Sequence, residues 1–95
     1  QRQQHNQQLE QQVLSAERLL SRFPIDSEQC RFSGDVVSDL QARLPVAAPL
    51  DQRLEPASAE QGLWLLLQLS DETSVLKRRV LFTPAGLGLC KQANA

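Results

Sequence analysis

The stretch Leu63-Trp64-Leu65-Leu66-Leu67-Gln68-Leu69-Ser70, then Asp71-Glu72-Thr73-Ser74, then Val75-Leu76-Lys77-Arg78-Arg79-Val80-Leu81-Phe82, decides how this chain folds. Leu63, Leu65, Leu67 and Leu69 alternate with Trp64, Leu66, Gln68 and Ser70. A run apolar on both faces at its start and on one face at its end reads as a central strand. The four polar residues that follow have the length and chemistry of a hairpin turn. In the second run Leu76, Val80 and Phe82 share one face and Lys77 and Arg79 the other, while Arg78 falls on the apolar face. The rival reading is a helix over 59–69, because leucine-rich runs have high helix propensity. Gly62 near its start, and the second alternating run beyond the turn, favour a strand–turn–strand unit.

Downstream, Thr83-Pro84-Ala85-Gly86 reads as a second turn, with Leu87 and Leu89 in a short last strand before the polar end Gln92-Ala93-Asn94-Ala95. Upstream, the two prolines and absent period of 46–56 predict a loop. Val36, Val37, Leu40 and Leu44 give a helical face that starts at Ser33-Gly34-Asp35 and stops at Pro45. Residues 26–32 form an extended candidate in which Cys30 and Phe32 share a face. The N-terminal segment to Pro24 reads as one amphipathic helix, with Leu9, Val13, Ala16, Leu20 and Phe23 spaced 4-3-4-3 along one seam. Its first dozen residues hold seven Gln and the lone His5, so that lead is expected to be solvated.

These elements predict an α+β fold. An N-terminal amphipathic helix precedes a small antiparallel sheet of three or four strands, with a second helix on one face, ferredoxin-like or related. Two parts follow: a stalk or coiled-coil helix over 1–24 and a small α+β domain over 25–95. Two roles are open for the helix seam: packing on its own domain, or pairing with another copy or another protein. Lys77 and Arg79 read as charges that guard an edge strand against pairing.

The chain has 95 residues and a formal net charge of -1, without the basic surplus of a dedicated nucleic-acid-binding domain. No apolar run reaches the ~20 residues of a membrane-spanning helix. Cys30 and Cys90 bracket the compact part and are too far apart for a CxxC pair. Bridged, they would close a loop worth on the order of 4 kcal/mol, in an oxidising compartment. The other reading is two unrelated buried thiols.

Catalytic chemistry finds little support. His5 lies outside the expected core, and Gly86-Leu87-Gly88 lacks the spacing of a phosphate loop. No residues have metal-ligand spacing. Asp71 and Glu72 read as solvated turn acids, and Ser58 has no His nearby in sequence. No enzyme, metal or cofactor is expected. Leu81-Phe82-Thr83-Pro84-Ala85-Gly86-Leu87 is similar to the wing-to-helix junction of MarR-type winged-helix regulators. The helix-turn-helix that precedes that junction in the family has no counterpart in the leucine-rich run and acidic turn here.

A chain without Met that opens on Gln1 reads as processed or excised, with a membrane anchor expected upstream. A stalk helix leading into a small α+β domain is similar in layout to the periplasmic domains of inner-membrane assembly proteins of type II secretion and type IV pilus machines, the PilO and GspM kind. That resemblance implies a non-catalytic, exported domain on the periplasmic face of a single-span protein, dimerising through its helix with envelope partners. The alternative is an extracytoplasmic sensor domain of a membrane-bound signalling receptor.

Overall fold

A computed structural model describes residues 2–26, 28–57 and 61–90. The elements run α1 (Arg2–Leu20), β1 (Ile25–Asp26), β2 (Arg31–Phe32), α2 (Val36–Arg43), β3 (Leu50–Pro56), β4 (Leu63–Ser70) and β5 (Val75–Phe82). The fold is α+β, with two antiparallel sheets: the β1–β2 hairpin and a three-stranded meander in the order β3-β4-β5. The strands do not join into one ferredoxin-like sheet among the described residues.

The decisive stretch folds as its alternation dictates. Leu63, Leu65, Leu67 and Leu69 are buried, and the residues between them are half-buried. Leu65 lies opposite Leu54 on β3 and Val80 on β5, which makes β4 the central strand. Arg78 does sit on the core face, opposite Leu67. It is tolerated there because β5 is an edge strand, where a long side chain can carry its charge out to water.

One core collects Leu9, Ala16, Leu20 and Phe23, then Phe32, then Val36, Leu40 and Leu44, and the inward leucines of the meander. Each fully buried leucine contributes roughly 1.5–3 kcal/mol. α1 contacts β4, β5 and α2, and α2 contacts β3. Gln12 ties α1 to the far side of the core, its Nε2 donating to Pro45 O at 3.1 Å and Gln52 Oε1 at 2.8 Å. α1 ends at Leu20, short of Pro24, in a tightened turn where Arg22 and Phe23 donate to Leu19 and Leu20. Within α1 the glutamine-rich lead is helical and solvated as expected, with Gln4, Asn6, Gln7 and Gln8 exposed.

Three local expectations need correction. Residues 46–56 are not all loop: 50–56 form β3, with Leu50 and Leu54 buried and Asp51 and Arg53 exposed. Pro49 precedes and Pro56 ends an edge strand, where a missing backbone N–H is tolerated. The segment before Phe32 is a tight hairpin, not one extended run. Ile25 pairs with Phe32 and Asp26 with Arg31, and Cys30 turns the corner with φ +57. Cys30 therefore does not share a strand face with Phe32, and Ser27 lies outside the described residues.

Leu87 and Leu89, expected as a short last strand, form no strand. Thr83 caps a single helical turn, its Oγ1 accepting from Gly86 N at 2.9 Å, with Pro84 in the first position. Leu89 N donates to Pro84 O and Gly88 N to Ala85 O, both at 3.0 Å, with Gly88 at φ +72. That is a Schellman ending, for which glycine carries no Cβ penalty. The polar end 91–95 and the serine Ser58 lie outside the described residues.

Candidate interaction surface

Cys30 and Cys90 form a disulfide, with Cα atoms 5.4 Å apart. It ties the β1–β2 turn to the segment leaving the Thr83–Gly88 turn, holding both ends of the 30–90 core together. A disulfide is compatible with an extracytoplasmic location. No helix among the described residues is long and apolar enough to cross a membrane.

The helix seam faces inward. Leu9, Ala16 and Leu20 are at most 1% exposed, Phe23 is 7% exposed, and Val13 packs against the same cluster. Of the two roles open to the stripe, the one seen in this single chain is packing on its own domain. Periodicity located the apolar face correctly, but what covers that face is the meander.

His5 is also less isolated than its polar setting implies, since its Nδ1 lies 3.6 Å from Asp71 Oδ2. The start of α1 thus meets the β4–β5 turn. Asp71 organises that turn: its Oδ1 accepts from Thr73 N and Ser74 N, each at 2.8 Å. The Thr73 amide first, then the Ser74 amide, hold the Asp71 carboxyl below its ordinary value. This is turn architecture of the kind Asp supplies at such positions. Among the described residues no group of three or more His, Cys, Asp or Glu is gathered as a metal site.

Two grooves carry basic side chains. The smaller, about 240 Å³, lies where α1 and α2 end, beside Arg18, Arg22 and Arg43. Arg18 and Arg43 occupy the last turns of their helices, where cations offset the helix dipole. Arg43 also stands 5.8 Å from the Phe23 ring. These arginines have structural work to do.

The larger concavity, about 520 Å³, lies on the sheet face turned away from the core, with Leu66 among its lining residues and Arg53, Lys77 and Arg79 around it. Strand register arranges this face in rows. Glu55, Trp64 and Leu81 form one, Arg53, Leu66 and Arg79 the next, and Asp51, Gln68 and Lys77 a third. α1, which contacts β4 and β5, buries its seam in the core on the opposite face, and no described helix residue lines this concavity. Leu81 is 44% exposed and Val75 53%, large apolar side chains left in water. Arg79 lies over the Trp64 ring at 4.5 Å, a cation–π contact that fixes both groups. Arg53 Nη2 pairs with Glu55 Oε2 at 2.8 Å, with both groups exposed.

No family model, curated protein or solved structure matches this chain. Lys77 and Arg79 are where the alternation puts them, exposed on an edge strand. Trp64 and Leu66 were visible as a second apolar face of β4. Arg53 was missed with its strand, although Leu50, Gln52 and Leu54 alternating with Asp51, Arg53 and Glu55 carries a period of two.

Proposed function

We propose that this chain is a non-catalytic, extracytoplasmic protein-interaction domain of a bitopic inner-membrane protein, a component of an envelope assembly of the secretion or pilus kind. The observation that carries the reading is the open sheet face. A small domain that can bury little surface nevertheless leaves Trp64, Leu66, Leu81 and Val75 partly or largely in water, framed by fixed charges. Exposed apolar area rimmed by polar groups is the usual mark of a protein contact site. The disulfide supports export, and a helix leading into a small α+β domain supports the anchored layout. With the α1 seam committed to the core, docking moves from the helix to the sheet.

The test is site-specific photo-crosslinking of the full-length protein in intact cells. A photoreactive residue in place of Leu66 or Leu81 is expected to give discrete protein adducts, and one in place of Ser38 on the exposed side of α2 is not. Equal adduct formation at all three positions, or none at Leu66 and Leu81, would overturn the reading.

A further inference from the structure

The outward side of α1 carries one large apolar side chain, Leu14, 48% exposed, with Glu10 four residues before it and Glu17 three after. At those spacings the three line one stripe of the helix, about a quarter turn round from the buried seam of Leu9, Ala16 and Leu20, with Glu17 at its inner edge beside Val80 and Leu87. Seven residues of helix rise about 10.5 Å between the two glutamates. Neither carboxylate has an ion-pair partner among the described residues.

The open sheet face presents the reverse pattern. Arg53, Leu66 and Arg79 are register partners across β3, β4 and β5. Two strand spacings separate the arginine positions by about 9.5 Å, with a leucine between them. The two stripes share a spacing and an apolar centre, and their charges are opposite. One step round the helix from Glu17, Arg18 adds a positive charge. Asp51, two residues from Arg53 on the same sheet face, supplies an acid to answer it. The Arg53–Glu55 pair does not block the contact, because an exposed ion pair is worth at most about 1 kcal/mol.

We propose that the occupant of the sheet face is α1 of a second copy of this chain, with Glu17 on Arg53, Glu10 on Arg79 and Leu14 set against Leu66. The proposal rests on the sheet face being a docking surface and names what docks there. α1 lies on the core side of the sheet and the open face on the other, so each copy offers one of each surface. Such a contact is heterologous and grows head to tail rather than closing as a two-fold pair.

Sedimentation of the purified, oxidised chain over a range of concentrations at low salt tests this. The average mass is expected to rise with concentration past that of a dimer, and to fall back on adding salt. The double variants Glu10→Lys/Glu17→Lys and Arg53→Glu/Arg79→Glu are each expected to keep the wild-type circular dichroism spectrum and to lose association by about 100-fold, roughly tenfold for each reversed pair. Leu14→Asp, also folded, is expected to weaken association too. An equimolar mixture of the two double variants is expected to associate again, because each variant's altered surface then meets its complement. A wild-type chain that stays monomeric throughout, variants that associate as the wild type does, or a mixture of folded variants that stays monomeric would each overturn the proposal. Leu66 crosslinks in cells that run to a different protein, together with a monomeric mixture, would sink the self-contact while leaving the docking face standing.

Discussion

Reducing the Cys30–Cys90 bond, or replacing both cysteines by serine, is expected to lower the melting temperature by about 15–30 °C. The bond closes a loop with a sequence separation of 60, which in the chain-entropy picture removes roughly 4 kcal/mol of freedom from the unfolded chain. A domain of this size has a total stability on the order of 5–15 kcal/mol. One kcal/mol moves its melting point by about 4–8 °C. Thermal unfolding followed by circular dichroism, with and without reductant, reads the effect directly. An unchanged melting point would mean that the bond adds nothing to the fold, and the structural argument for an oxidising compartment would lose its basis.

Leu20→Asp is expected to unfold the domain, and Leu9→Asp to come close to it. Both leucines are essentially without solvent contact. Each substitution removes a buried side chain worth about 2–5 kcal/mol and places a carboxylate where no partner charge lies. Leu14→Asp, on the outward side of the same helix, is expected to leave stability within about 0.5 kcal/mol of wild type. Denaturant titration of the three variants separates the two roles the seam could have. Folded, monomeric Leu9→Asp and Leu20→Asp proteins would mean that the stripe pairs between chains instead of completing the core.

The seam shows what a sequence pattern carries and what it does not. The 4-3-4-3 spacing locates the apolar side of α1 because side chains at those intervals stack on one helix face. The same spacing serves a coiled coil and a core-packed helix, so the choice depends on what lies opposite. Here that is the meander, whose leucines need a cover. β4 and β5 were legible for the opposite reason, since alternation over eight residues fits little else. Misleading signals came from residues with two uses. Pro49 and Pro56 suggested a loop and instead frame an edge strand. Leu87 and Leu89 alternate like a strand, but Thr83, Pro84 and Gly88 set the cap, first position and ending of a helical turn. The cysteines were legible as a pair from their placement. The backbone turn that aims Cys30 at its partner depends on Asp26, whose side chain accepts from Glu28 and Gln29 and whose carbonyl accepts from Cys30.

The candidate surface was only half legible for a related reason. Trp64, Leu66, Lys77 and Arg79 lie on strands that alternation identifies, and their faces follow from it. Arg53 joins them only once β3 pairs with β4, a contact between segments that the sequence does not place side by side. The match between the Arg53–Leu66–Arg79 row and the outward side of α1 likewise requires the register across three strands.

Solvent-radical footprinting of the dilute, oxidised chain, alongside the full-length protein in intact cells, tests most directly that the sheet face docks and the helix seam does not. Trp64, Leu66 and Leu81 are expected to be labelled in the isolated chain and protected in the cells, with Leu9 and Leu20 protected in both. Labelling of Leu9 and Leu20 in the isolated chain, or equal labelling of the sheet face in the two settings, would contradict it.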